Sequence, residues 1–447
     1  MEKQDLKPGI IRLIIIGIMA VLAVTGYGGN GKEQEAVAQQ ESEGSHTGSS
    51  SGSDRTDYES YQGGHEDAGW YVGPGPKRAN TRELWANDAI RWNFHSPPAM
   101  DNEGIVYGGG PIGAFDSSTG EPIWRNEDLI EMVPPGGAGY MSIHYHNGSV
   151  HIHQRDSVLK VDSVTGEHSG STPMAFSRNR AVLSDGILYT SDYDTRKLAQ
   201  AFDLESHTEV WKREFDARPV APAVVGNLVI IGTREKDGQR ARAIAMDRDS
   251  GETTWSQVLD FSPYTVLGVD ELVVVGGEET MVVLEAESGN EVWRRDINLG
   301  RLDPTFAATN RTVFATENRK RIVALDARTG DKLWVFDAAE YADDEELTAE
   351  DFQGEEGPLG ELNINNIVVA DGVVYVNSRI TSGIGRVVVI ALDAIEGNDV
   401  LWSLTGPPDI DATSWFPNRP VVADGRLYYH ANHIADPGSR LFVLGDE

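Results

Sequence analysis

Ala324-Leu325-Asp326-Ala327-Arg328-Thr329-Gly330-Asp331-Lys332-Leu333-Trp334 is the stretch on which the reading of the fold turns. An apolar alternating run ends in Ala-x-Asp, a Thr-Gly turn follows, and Trp stands four residues after the Gly. The pattern recurs at Ala114-Phe115-Asp116, Thr119-Gly120 and Trp124, and at Ala245-Met246-Asp247, Ser250-Gly251 and Trp255. Looser copies carry Asp203 with Trp211, Glu285 with Gly289 and Trp293, and Asp393 with Gly397 and Trp402. One copy, Lys160 with Asp162, Thr165 and Gly166, has no Trp. A last copy begins at Arg440-Leu441-Phe442-Val443-Leu444 and stops at Glu447.

Between the copies lies a second recurrent unit, Asp-Gly between alternating apolar runs, at Asp185-Gly186, Asp371-Gly372 and Asp424-Gly425. That dipeptide marks a tight β-hairpin, because both turn residues need φ above zero. Each unit therefore reads as four short antiparallel strands. Successive Trp residues are 44, 38 and 41 apart from Trp211 to Trp334. Four strands per repeat at that period predict an all-β fold, an eight-bladed β-propeller. Seven blades is the alternative if the Trp-less unit is degenerate. The last unit lacks its outer strand, and Thr81-Arg82-Glu83-Leu84-Trp85 has the sequence of one. It is expected to pair with Arg440–Leu444 and close the ring, which removes two open sheet edges.

The Ala-x-Asp-x-x-Thr-Gly-x-x-x-Trp unit resembles the tryptophan-docking repeat of pyrroloquinoline-quinone (PQQ)-type propellers, over about residues 80–447. The resemblance implies structural roles for Trp85, Trp124, Trp211, Trp255, Trp293, Trp334 and Trp402. It implies the same for Gly120, Gly166, Gly251, Gly289 and Gly330, each permitting a tight turn. Large aromatics repeated once per blade agree with a core device. That family holds quinoprotein dehydrogenases and non-catalytic relatives, among them the propeller subunit of the outer-membrane barrel-assembly machinery. The dehydrogenases typically carry a disulfide between adjacent cysteines, a calcium held by Glu and Asn, and a catalytic Asp. This chain has no Cys, and no matching Glu/Asn/Asp set can be placed. PQQ with Ca²⁺ is accordingly not expected, and no catalytic or cofactor-binding residue is assigned.

The chain has 447 residues, with 70 Asp plus Glu against 38 Lys plus Arg, a net charge of −32. That excludes a general nucleic-acid binder, whose phosphate contacts need a basic face. The acidic, Lys-poor balance resembles proteins of salt-loving microbes, in which carboxylates keep the surface hydrated. Residues 1–27 read as a signal or membrane-anchor segment: Lys3, Lys7 and Arg12 precede an apolar run of 12 from Leu13 to Val24. Such a run suits a secretory segment and is short for a spanning helix. Tyr27 stands where a lipoprotein signal would place its Cys. Residues 28–80 read as a disordered acidic Gly/Ser-rich tether, and residues 81–447 as the propeller. The protein is thus expected to be exported, either on the outer face of the cytoplasmic membrane or secreted.

His144-Tyr145-His146-Asn147-Gly148-Ser149-Val150-His151-Ile152-His153 is the one chemically unusual segment. A two-residue turn at Asn147-Gly148 pairs residue 144 with 151 and 146 with 149. His144, His146, His151 and His153 then share one face, as imidazole ligation of Zn²⁺ or Cu²⁺ requires. The alternative is a polar patch at a blade edge. Residues 340–361 form an acidic insertion between blades, with Asp343-Asp344-Glu345-Glu346 and Glu355-Glu356; it reads as a solvated loop or short helix. Asn147-Gly148-Ser149 and Asn310-Arg311-Thr312 are glycosylation sequons. The favoured reading is a monomeric, non-enzymatic scaffold for an unknown protein partner. A quinone-dependent oxidoreductase and a metal- or sugar-binding surface module are the alternatives.

Overall fold

The computed structural model describes residues 70–446 apart from 72, 88–97, 102, 109–111, 130–141, 154–155, 175–180, 193–195, 235–239, 300–305, 345–361, 381–386, 398, 407–409, 412–419 and 434–438. The signal reading of 1–27, most of the tether, and most of the acidic insertion fall outside the described residues. What is described is nearly all strand: eight antiparallel sheets, each holding four blade strands.

Blade 1 runs from Ala99–Met100 through Ile105–Gly108 and Ile112–Asp116 to Pro122–Asn126. Blade 5 shows the repeat in its plainest form: Thr265–Val269, Leu272–Gly276, Thr280–Glu285 and Glu291–Asp296 pair in sequence order. The Trp-less unit is a complete blade, Ser142–His146, Ser149–His153, Ser157–Asp162 and His168–Pro173, so the count is eight and the seven-blade alternative falls. First strands of neighbouring blades touch, as Phe306–Ala308 does Leu362–Ala370. These strands therefore form the inner edge and the Trp-bearing strands the outer one. Strands two and three bury almost every residue, as in Leu272–Gly276. Outer strands alternate, because one edge and part of one face meet water.

The ring closes as the sequence implied. Arg82–Asn87 pairs antiparallel with Ser439–Gly445, with Trp85 opposite Val443. Eight residues further upstream, the chain does something no repeat copy announces. The turn between the third and fourth strands of blade 8 is cut by the two ends of the chain, and residues 76–81 rebuild it. Asp446, one residue past the motif position that Gly445 occupies, accepts hydrogen bonds from the Lys77 amide (3.3 Å), the Arg78 amide (3.1 Å) and the Thr81 hydroxyl (2.7 Å). The Pro76 carbonyl accepts the Trp402 indole N–H at 2.9 Å and the Tyr375 hydroxyl at 3.2 Å. Lys77 also pairs with Asp371 at 2.6 Å. Further inward, Trp70–Tyr71 adds a parallel strand to the inner edge of blade 7, Trp70 opposite Val369.

The helix Ala338–Asp344 opens the acidic insertion. The Asp337 carboxylate accepts the Ala339 amide at 3.0 Å, an N-cap. Tyr341 packs on Phe336, ring centroids 5.6 Å apart. Among the described residues no helix is long and apolar enough to cross a membrane.

Replacing Asp446 by Ala removes three hydrogen bonds to one carboxylate across the split turn. The expected loss is about 2 kcal/mol, read as a lowered urea midpoint. Asp249→Ala, on an exposed turn, is expected to leave the midpoint unchanged.

Candidate functional site

The tryptophans and glycines that the sequence singled out lie in the seams between blades, and the ordinary seam has to be described first. At Gly120 the backbone has φ +74°, and a Cβ there would lie 2.6 Å from the Trp85 ring. The indole therefore lies flat on a backbone that only glycine leaves bare. Its N–H donates to Ser117 O, at 2.9 Å, in the same turn. Six seams repeat this: Trp85 on Gly120, Trp124 on Gly166, Trp211 on Gly251, Trp255 on Gly289, Trp293 on Gly330 and Trp334 on Gly397. Their indoles donate to Ser117, Ser163, Arg248, Ala286, Ala327 and Ala394, at 2.7–3.1 Å. In the seventh seam Trp402 uses Pro76 O.

Most turns are held by a motif Asp, and the blade 5 turn by Glu285, which accepts the Ser288 hydroxyl at 2.7 Å. The Asp162 carboxylate accepts the Thr165 amide at 2.8 Å and the Val164 amide at 3.0 Å. The Thr165 amide chiefly, together with the Thr165 hydroxyl, holds this carboxyl below the usual aspartate range. Opposite each Trp stands a small or β-branched residue with a β-bulge beside it: Ala114, Ala201, Ala245, Val283, Ala324, Ala391 and Val443. The bulge gives the local twist that turns the indole toward the next blade.

The seam between blades 2 and 3 inverts this arrangement. Gly170 occupies the Trp position and pairs with Lys160, which replaces the usual Ala. A Cβ on Gly170 would meet nothing within 4 Å. The space is taken from the other side. His207 stands in the blade 3 turn where the other blades have Gly, with φ +57°. Its Nδ1 shares a hydrogen bond with the Thr172 hydroxyl of blade 2 at 2.9 Å. Its ring lies 5.6 Å from His151. His151 itself holds the position filled by Tyr107, Tyr189 and Tyr375 in blades 1, 3 and 7, judged by strand register. Those tyrosines meet their Trp at 6.1–6.2 Å. Trp, Gly and Tyr have thus been exchanged for Gly, His and His, and a ring-to-ring contact survives.

The four hairpin histidines lie as the register argument required. Asn147-Gly148 makes the turn with φ 46° and 71°. His144 pairs with His151, and His153 stands opposite Ser142, on one face. His144, His151 and His153 are each 1% exposed. His146 reaches the next blade, where a Cβ on Gly186 would lie 2.8 Å from its Nε2. His151 Nδ1 and His153 Nε2 are buried with no hydrogen-bond partner. Burial pushes both imidazoles down to about 3, reinforced at His151 by His207 and Lys160 and at His153 by His144. Both are therefore neutral, the state a metal needs. Among the described residues, however, no group of three or more His, Asp or Glu side chains is placed to hold a metal ion. A Zn²⁺ or Cu²⁺ ion on this face would need ligands from outside it. The adjacent-cysteine disulfide of the quinone enzymes has no residues to form from.

The fold defines the class: an eight-bladed, tryptophan-docked propeller. Residues 77–257 and 240–350 match the family described as outer membrane protein assembly factor BamB, and the chain belongs to that family. The BamB protein of Yersinia pestis is 24% identical over 275 residues, which are 54% of this chain and 64% of the relative, so the match spans less than two thirds of that relative's length. The quinohemoprotein alcohol dehydrogenase of Comamonas testosteroni superposes with a TM-score of 0.58 at 12% identity, covering 87% of this chain and 80% of that one. A computationally designed protein, Ika8, gives 0.57 at 13% identity, covering 81% and 99%. At those identities the likeness shows the fold alone.

Two measurements test the seam. Gly170→Trp alone is expected to destabilise, because His207 holds the space the indole needs. Adding His207→Gly should recover stability, with a coupling of about 1–3 kcal/mol in a double-mutant cycle. The second concerns pH. The unfolded histidines protonate near 6.5 and the folded ones near 3. Between those values the unfolded chain binds protons that the folded chain does not, so stability falls as pH falls through the window. The motif aspartates act lower, below about pH 4. His151→Tyr should therefore flatten the dependence of the urea midpoint between about pH 6.5 and 4.5.

Proposed function

We propose that this protein is an exported, non-catalytic scaffold that serves protein assembly at a membrane. The observation that carries the reading is family membership over residues 77–350, whose named function is outer membrane protein assembly. The architecture supports it. Every blade is locked to the next, so the turns at the two ends of the disk form rigid loop arrays suited to binding. The N-terminal sequence supports export, and an anchor there would keep the propeller near a membrane. The partner is a protein, held through those loops.

A quinone-dependent oxidoreductase is the second reading, since the fold is shared with a quinohemoprotein dehydrogenase. The experiment is capture of the tagged full chain from its own cells in high salt, after chemical cross-linking. The scaffold reading expects the protein in the membrane fraction, cross-linked to membrane-protein partners. Recovery from the cytosol without partners overturns it. In parallel, PQQ with Ca²⁺ is added to the purified protein. The scaffold reading expects an unchanged Tm; a saturable rise favours the oxidoreductase, since a ligand stabilises the fold that binds it.

A further inference from the structure

Blade 4 carries an arrangement that neither the repeat nor the assembly role explains. Before its first strand the chain makes a short extra pairing, Arg218–Pro219 against the end of Leu228–Arg234, with Arg218 directly opposite Arg234. Two arginines face each other across a ladder in a chain whose net charge is −32. Like charges in that position repel. Such pairs are ordinarily relieved by a carboxylate, and this chain has 70 of them. No described residue forms an ion pair with either guanidinium.

The Arg234 side chain is held in place. The Arg234 guanidinium lies over the Tyr264 ring, 4.0 Å from its centroid. Tyr264 enters blade 5, and its amide is fixed to Gly276 O at 2.8 Å. The neighbouring segment is tight: a Cβ on Gly232 would lie 2.9 Å from Val220 and 3.2 Å from Pro263. Stacking orients the planar group and leaves its edge N–H donors pointing away from the ring. On the facing residue, Arg218 Nε is shielded from solvent and has no hydrogen-bond partner. A buried charged donor left unsatisfied is costly, and the chain keeps it beside a second cation. Asp192, in blade 3, accepts the Arg196 amide at 3.1 Å.

We propose that Arg218 and Arg234, with Tyr264 as the platform, form a binding site for an oxyanion, a carboxylate or a phosphate, at the inner edge of blade 4 beside blade 5. One planar oxyanion satisfies the Arg218 Nε, bridges the two guanidiniums by charge-assisted bonds and cancels their repulsion. The site is independent of the assembly role: it takes the group itself, whether on a free ion or on a partner's side chain.

Isothermal titration of the full chain at constant ionic strength, with inorganic phosphate in one series and succinate in the other, tests it. Wild type is expected to bind at least one of the two saturably. Arg218→Gln and Arg234→Gln each weaken that binding about tenfold or more, the loss of one charge-assisted bond. Arg328→Gln, on an exposed blade 6 turn, leaves it unchanged. Phosphate alone, succinate alone or both binding all support the site, and the choice names the source of the anion. In chloride, Arg218→Gln is expected to raise Tm by removing the repulsion. No saturable binding of either anion, or equal affinity in all four proteins, overturns the proposal, as does a lowered Tm for Arg218→Gln in chloride.

Discussion

The structure depends on an indole lying on a bare glycine. Trp is the one side chain with both a broad apolar face and a single N–H donor. In each regular seam the face covers the Gly and the donor reaches a carbonyl three residues before it, as with Trp293, Gly330 and Ala327. The contact joins an outer strand to the turn of the following blade, always in the same direction. Repeated round the disk, it fixes the angle between blades. It also constrains other positions. The residue opposite the Trp must be small or β-branched, the strand must bulge there, and an acidic side chain must hold the turn.

Once that contact is understood, the blade 2–3 seam is a permitted variant. Removing the Trp leaves a hole, and a hole in a core destabilises by its volume. The chain fills the hole from the opposite blade with His207, accepting a left-handed backbone at a residue other than Gly. Lys160 stands opposite Gly170, where the other blades set a small or β-branched residue opposite Trp. Polar rings in an apolar slot then make this seam responsive to acid at a pH above the range of the motif aspartates, because His151 and His153 must stay neutral to remain buried.

Most of the architecture was legible because the docking contact needs three residue types at fixed spacing. Asp326, Gly330 and Trp334 alone define a blade, and Trp85 announces the closing strand. The histidine face was legible for a different reason: an Asn-Gly turn sets register, and register sets the face. What stayed hidden involves residues brought together by closure. Nothing near His207 in sequence says that it replaces Trp at position 170, since the two belong to different blades. Arg218 and Arg234 are 16 residues apart, in segments whose extra pairing the repeat does not predict. The split turn was illegible because its Asp and its amides lie at opposite ends of the chain.

That split turn also sets how the molecule bears a load. The chain upstream of Trp70 is joined to the ring through a short parallel strand on blade 7 and then through the Asp446 clasp. A pull on the N-terminus loads these elements first, ahead of the Arg82–Asn87 strand that closes blade 8. Tension thus passes along the blade 7–blade 8 seam, where Trp402 and Tyr375 both rest on Pro76. Continuous chain crosses all eight seams; the one break lies inside blade 8, where Arg82–Asn87 is paired with Ser439–Gly445 and the Asp446 clasp buttons the turn.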